Sequence, residues 1–240
     1  MPRRRGDDKN GASRSELAYS NLKAAIHSGR FRAGDRMREA ELATMLGISR
    51  TPIRDALKRL EANGLLTAAP RRGLIVAELV QEQVTELYAV RDVLEGLAAR
   101  LAAQHASPAE IAAMRDLLDR QARTKPDDSP GLARLNRLFH DVVYRAARNR
   151  YLVDVLDSFE SALALLPGTT YVAPGRAASA LKEHAAMVAA IGRREPDAAE
   201  RSARSHMRAA EKIRVLMISA GVEHVADAPK SRRAPRGKGR

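Results

Sequence analysis

Residues 42–63 constrain this chain more than any other stretch, and most tightly Gly47-Ile48-Ser49-Arg50-Thr51-Pro52-Ile53-Arg54. A glycine, an N-cap residue type and a first-turn proline mark the end of one helix and the start of the next. Ile53, Leu57 and Leu60 recur at i, i+4 and i+7, the spacing of one buried helix face. At about 100° per residue, Arg50, Thr51, Arg54 and Lys58 gather on the opposite arc. Such an arc suits a major groove, with its N-terminal residues nearest the base edges. Taken alone, the pattern also fits an amphipathic helix with a solvated basic face. The flanks decide. Leu17 to His27 is a helical segment followed by turn glycines Gly29 and Gly34, and Glu39-Ala40-Glu41-Leu42-Ala43 begins a short helix. Downstream, Leu65-Leu66-Thr67 and Leu74-Ile75-Val76 are β-prone runs on either side of a hairpin tip, Pro70-Arg71-Arg72-Gly73. Three helices and a basic-tipped hairpin make a winged helix-turn-helix.

The motif string Glu41-Leu42-Ala43, Leu46 to Arg54, Ala56-Leu57, Leu60-Glu61, Gly64-Leu65, Gly73 and Val76 closely resembles the GntR family of bacterial transcription regulators. The resemblance implies base- and phosphate-reading roles for Arg50 and Arg54, with Lys58 on the same arc. It implies phosphate contacts from Ser49 and Thr51, and a wing tip, Arg71-Arg72-Gly73, near the minor groove. Some relatives place a DNA-contacting arginine where this chain has Ala40; Arg36 or Arg38 would have to replace it.

The formal charge of +13 argues for a polyanionic partner. Much of it lies in two stretches expected to be disordered, residues 1–13 and 226–240, since neither has an apolar face to bury. They would add salt-sensitive, sequence-independent DNA affinity, or serve only solubility. The absence of Trp disfavours base stacking, and with it single-stranded nucleic acid. There is no cysteine, hence no disulfide and no thiolate metal site. No apolar run approaches the ~20 residues of a membrane span, and no signal-peptide h-region opens the chain. A cytoplasmic protein with no membrane partner is expected.

With 240 residues there is room for two cores. The winged helix is expected over 14–78 and, after a short connector, a helical domain over 81–225. From Gln81 onward the pattern is helical throughout, with stops and starts at Ser107-Pro108, Lys125 to Pro130, Asn149, Pro167-Gly168, Pro174-Gly175 and Glu195-Pro196. Six helices without a credible strand predict an antiparallel α-bundle, and the fold class as a whole is mainly α. Three polar residues on apolar faces stand out. His184 aligns with Leu181, Val188 and Ile191, and His206 with Ala199, Ala203, Ala210 and Ile213. His140 lies at the edge of its stripe, with Asn136 four residues earlier on the same side. Any one of them reads most simply as a hydrogen-bonded core histidine. Three on three inward faces could converge on a metal, with the Asn136 oxygen as a weak fourth ligand.

Arg91-Asp92-Val93-Leu94-Glu95, Asn136 to His140, Arg148-Asn149, Glu183-His184 and His206 follow one another in an order that resembles the FadR-type branch of the same family. That branch carries a helical, FCD-like ligand-binding domain, and many members hold a divalent metal through one carboxylate and three histidines. His140, His184 and His206 fall on the histidine positions, while Asn136 stands at the carboxylate position. Three imidazoles suit Zn²⁺ or Ni²⁺ better than Mg²⁺. Arg91 is the expected partner of a small carboxylate effector, since a guanidinium forks onto carboxylate oxygens; its alternative is a salt bridge to Glu95. The expectation is a homodimeric regulator, a repressor, that binds double-stranded operator DNA under control of an organic acid bound beside the metal through Arg91, Asn136 and the histidines. One rival is an architectural DNA-binding dimer without an effector. The other is a metal-dependent hydrolase, disfavoured because His-Glu-x-x-His is absent and no inward-facing carboxylate is evident beside the histidines.

Overall fold

A computed structural model of the chain describes residues 7–163, 165–166 and 168–220. The N-terminal part is built from α1 (Asp7–His27), α2 (Glu39–Leu46), α3 (Arg50–Ala62) and a hairpin of β1 (Leu66–Ala69) and β2 (Gly73–Val76). Gly47 closes α2 at φ 67, a left-handed conformation that any side chain would strain. Ser49 then opens α3 from an extended backbone, but its hydroxyl makes no cap bond and stays exposed. The strands pair antiparallel, with Leu66 opposite Val76 and Ala69 opposite Gly73. An isolated bridge from Arg36 to Ile75 adds a third edge that the sequence did not signal. Leu22, Ile26, Leu42, Ile53, Leu57, Leu60, Leu65 and Val76 form the core of this reading head.

The helix α1 starts at Asp7, so the stretch expected to be disordered over 1–13 is helical from residue 7. Residues 1–6 and 221–240, which include the expected end of the helical domain at 225 and the stretch 226–240, lie outside the described residues.

The rest is helical: α4 (Gln81–His105), α5 (Pro108–Arg123), α6 (Ser129–Ala146), α7 (Arg150–Leu163), a 3-10 turn at Thr170–Val172, α8 (Arg176–Gly192) and α9 (Pro196–Ser219). Six helices were expected here, and among the described residues six are found, with no strand. Ser107 and Glu110 close the α5 N-terminus as a reciprocal capping box. The longest contact runs between α4 and α9. It is close because α4 presents small residues, Ala98, Ala99, Ala102 and Ala103, all fully buried. At Gly96 a Cβ would stand 2.8 Å from Arg204 Cγ, so the glycine lets that arginine cross α4 and reach Asp92 at 2.8 Å.

Head and bundle meet through a connector. Leu165, just after α7, is buried in the core of the reading head. Its neighbour Leu166 is buried with Val84, Tyr88 and Ala210 of α4 and α9. Two adjacent residues thus belong to two cores, and the segment cannot shift without disturbing both.

Candidate functional site

On α3, Pro52, Ile53, Ala56, Leu57 and Leu60 face inward, while Ser49, Arg50, Thr51, Arg54 and Lys58 are all exposed. The arc read from the sequence is one continuous surface. At the wing, Arg71, Arg72 and Gly73 are exposed around a turn in which Arg71 has φ 61. Arg72 also braces the wing: its Nη2 donates to the Gly34 carbonyl at 3.0 Å, and its own carbonyl accepts from Arg36 Nε at 2.8 Å. The two arginines offered in place of the contact missing at Ala40 are therefore engaged, Arg36 on the wing and Arg38 with Glu41 at 2.5 Å. Arg54 forks onto Glu39, with Nε to Oε1 and Nη2 to Oε2 both at 2.9 Å.

The second site lies inside the bundle. His140 on α6, His184 on α8 and His206 on α9 are buried, and one ring nitrogen from each lies within 4.8 Å of the others. Each imidazole is held from behind through Nδ1. His140 Nδ1 lies 3.0 Å from Glu95 Oε2, His184 Nδ1 3.1 Å from Gln121 Oε1, and His206 Nδ1 2.6 Å from Glu183 Oε2. Arg176 Nη2 is also 3.3 Å from His206 Nδ1, but the shorter contact is to an acceptor and requires Nδ1 to carry the proton. The Gln121 amide is oriented in turn: its Nε2 donates to the Tyr171 hydroxyl at 3.2 Å, which donates to Asn136 Oδ1 at 3.1 Å. Burial pushes the Tyr171 hydroxyl up to about 12, so it remains a donor at neutral pH.

With all three Nδ1 atoms donating outward, the Nε2 lone pairs face inward. His184 Nε2 and His206 Nε2 are 3.3 Å apart, and His140 Nε2 is buried without a partner. Bare lone pairs at that distance repel, and a cation between them removes the conflict. Two imidazole nitrogens about 2.0–2.1 Å from a tetrahedral metal stand roughly 3.3 Å apart. Desolvation, then the neighbouring imidazoles and Arg176, hold His184 and His206 well below the usual histidine range, so both are neutral, as ligation requires. The donor set and its outer partners fit a divalent metal.

Around the imidazoles lie two guanidinium–carboxylate pairs, Arg91–Glu95 buried and Arg176–Glu183 with its carboxylate partly exposed. Arg91 Nη2 reaches Glu95 Oε1 at 2.6 Å, and Arg176 Nη1 contacts Glu183 at 2.8 and 2.9 Å. Burial opposes the charge on Glu95, but His140 and Arg91, with hydrogen bonds from His140 and Tyr144, outweigh it and hold the carboxyl well below its usual range. No inward-facing carboxylate was expected beside the histidines as an obvious base; Glu95 and Glu183 do stand beside them. Each sits on the Nδ1 side and is neutralised by an arginine, so neither is placed as a base facing the centre. A groove of about 460 Å³ between α8 and α9, lined by Lys182, Glu183, Arg201 and Ser202, opens over Glu183.

Of the predicted bundle residues, the structure brings the three histidines together. Asn136 joins their outer shell through Tyr171, and Arg91 through Glu95. Sequence reasoning missed Gln121, Tyr171 and Arg176. Arg176 carried a faint signal, since it precedes Glu183 by two helical turns on one face. Gln121 and Tyr171 carried none, because a single polar residue on another element has no spacing to read.

The FCD domain model matches residues 86–209, and the model described as bacterial regulatory proteins, gntR family, matches residues 14–76. An uncharacterized HTH-type transcriptional regulator, YdhC of Bacillus subtilis, is 30% identical over 190 residues, 78% of this chain and 85% of its own length. The Glc operon transcriptional activator of Escherichia coli is 28% identical, over 82% of this chain and 87% of its own. The solved structure of E. coli McbR/YncC aligns with a TM-score of 0.73 at 21% identity, covering 85% of this chain and 98% of that one, which speaks to the fold alone.

Proposed function

The chain belongs to the GntR family of bacterial regulatory proteins and carries an FCD domain; from that premise we propose that it is a metal-dependent, effector-controlled repressor. That it is a DNA-binding transcription regulator and not an enzyme follows from the family itself. The finer reading is ours. The observation that carries it is the inward convergence of three buried Nε2 atoms, each imidazole oriented by an acceptor at its back.

His140, His184 and His206 hold a divalent metal, Zn²⁺ or Ni²⁺, and Asn136, whose Oδ1 accepts from the Tyr171 hydroxyl, would be a weak fourth ligand only through the lone pair that bond leaves free. The metal would bind the carboxylate of a small organic acid, which would share Arg91 with Glu95 or the second buried guanidinium, Arg176, with Glu183. Arg176 Nε is buried without a partner, which supports its place in this set. Ser49, Arg50, Thr51, Arg54 and Lys58 contact operator DNA from α3, and Arg71, Arg72 and Gly73 from the wing. Coupling between the sites runs through the connector: Tyr171, hydrogen-bonded to the shell of the histidines, lies a few residues after Leu165, which sits in the core of the head. An effector acts by binding one arrangement of that connector better than another.

The protein works as a homodimer. Val90, Val93 and Leu97 form an exposed apolar stripe at i, i+3 and i+7 on α4, and a second copy covers it. Repression is the simpler direction, since a bound dimer excludes other proteins from its site without a further contact; the Glc relative, named an activator, represents the other. Among the described residues no helix is long and apolar enough to cross a membrane, consistent with a cytoplasmic partner such as DNA. Metal analysis of protein purified without chelator, before and after incubation with Zn²⁺ or Ni²⁺, tests the reading. About one metal per chain, lost in His206→Ala, is expected; no metal under either condition overturns it.

A further inference from the structure

The DNA-facing arc of α3 contains an anion. Glu39, at the first position of α2, reaches across to α3 and takes both the Nε and Nη2 hydrogens of Arg54 at 2.9 Å. The two residues lie on different helices, 15 positions apart. Arg50 and Lys58 are near enough to add to the field that holds the Glu39 carboxyl below its usual range, behind the hydrogen bond from Arg54. A carboxylate among cations that must approach phosphates opposes binding. An exposed ion pair also contributes little to stability. Its value must therefore lie elsewhere.

The geometry of the fork supplies the reason. A guanidinium carries five N–H donors in a plane. The carboxylate takes one edge, Nε with Nη2, and leaves the neighbouring edge, Nη1 with the second hydrogen of Nη2, uncommitted by the pair on a side chain that is 58% exposed. That remaining edge still offers the two parallel donors that pair bidentately with guanine O6 and N7. An unrestrained arginine on the same helix would fold onto the nearest phosphate, a contact that positions the protein but carries no sequence information. We propose that Glu39 is a specificity-determining positioning residue: it fixes Arg54 by one edge so that the other reads a guanine, and it disfavours sequence-independent contact by its charge. This rests on the assignment of Arg54 as a reading residue in the proposed function. The same carboxylate lies at a helix N-terminus, where it would also favour α2 through the dipole, so the test must separate the two roles.

The test uses the full chain and a duplex enriched from a random pool by the parent protein, compared with a scrambled duplex over a salt series. Glu39→Gln keeps the size and one acceptor but loses the charged fork. Its preference for the enriched duplex is expected to drop on the order of tenfold, while affinity for the scrambled duplex stays level or rises. Arg54→Lys should also lose preference, and adding Glu39→Gln to Arg54→Lys should change it no further, because the carboxylate acts through the guanidinium. A renewed pool selected with Glu39→Gln should lose its guanine at one position per half-site. Unchanged preference in Glu39→Gln overturns the proposal, as does an equal loss in the Arg54→Lys background, which would mean that Glu39 acts on DNA or on α2 by itself. If Arg54→Lys alone binds like the parent, Arg54 is not a reader, and the proposal falls with that premise rather than through its own failure.

Discussion

The reading head and the histidine centre use the same chemistry, nitrogen donors braced by carboxylates, at opposite ends of solvent exposure. Arg54 and Glu39 face water, with 58% and 35% of their side chains exposed. Arg91 and Glu95 show 10% and 3%. In the head the brace orients a side chain that must later meet a partner. In the bundle it neutralises charge that could not otherwise be buried. A buried pair gains little over apolar packing, yet losing one member strands the other. An exposed pair can be broken almost freely. The contrast assigns folding to one set of carboxylates and recognition to the other.

The largest effect expected from breaking that contrast is at Glu95. Glu95→Ala leaves Arg91 charged and buried, and removes the acceptor behind His140. A loss of about 3–5 kcal/mol is expected, read from urea unfolding. Glu39→Ala, by contrast, should shift the urea midpoint only slightly, by the loss of an exposed pair and of a first-turn carboxylate. Equal shifts in the two variants would erase the distinction between the two sets of carboxylates.

Next in size is the metal. A ligand bound only by the folded state adds RT ln(1 + [L]/Kd), ~2.7 kcal/mol at one hundred times Kd. Zn²⁺ or Ni²⁺ should raise the melting temperature of the parent, and His140→Ala, His184→Ala or His206→Ala should abolish the rise. Asn136→Asp should tighten binding by replacing the neutral amide oxygen with an anionic one, which can face the metal while still accepting from Tyr171. A parent-like rise in all three alanine variants would make the histidines core residues only.

How far each region could be read in advance follows the same division. The head was legible almost residue by residue, because Gly47, Ser49, Pro52 and the Ile53, Leu57, Leu60 stripe sit within a single turn and helix, where local rules apply. The brace on Arg54 was not, since Glu39 is on another helix and no periodicity links it to Arg54. In the bundle, each histidine could be placed on an inward face from its own helix. Their convergence depended on how three helices pack, which spacing alone does not determine. The pair of Arg91 with Glu95 was one of two readings the i, i+4 spacing allowed, and the structure makes it; that Glu95 also accepts from His140, and Glu183 from His206, shows only in three dimensions. The Arg36 bridge and the seating of Leu165 in the head are tertiary facts of the same kind.

Within the head, smaller effects should separate reading from anchoring. Arg50→Ala is expected to lose ~1–3 kcal/mol of discrimination between operator and scrambled DNA. Lys58→Ala, further from the helix N-terminus, should weaken both alike and lower the salt slope by about 0.9. Competition binding over a salt series distinguishes the two patterns. If Arg50→Ala loses affinity equally for both duplexes, it is an anchor, and base reading must come from other residues of the arc.

The smallest effect lies where the two regions meet. His27, the last residue of α1, has its Nε2 buried without a partner. Burial, then the charges of Lys23 beside it and Arg137 on α6, push its pKa down to about 4. Above the unfolded value of about 6.5 the imidazole is neutral in both states, and the contact between head and bundle has its full stability. Between 6.5 and 4 the unfolded chain takes up a proton that the folded chain refuses, so stability falls as pH drops. Below about 4 both forms are protonated and the loss stops growing. His184 and His206 shift in the same direction, so the acid limb of the parent alone does not isolate His27. The difference between the parent and His27→Gln does. It should change steadily from pH 6.5 to 4, in favour of the variant at the acid end, and stay flat above. Because His27 is partly exposed, water screens it and the change should be modest. A difference that is constant across the range would show that neither burial nor the charges of Lys23 and Arg137 hold His27 down, and that the junction of head and bundle is indifferent to protons.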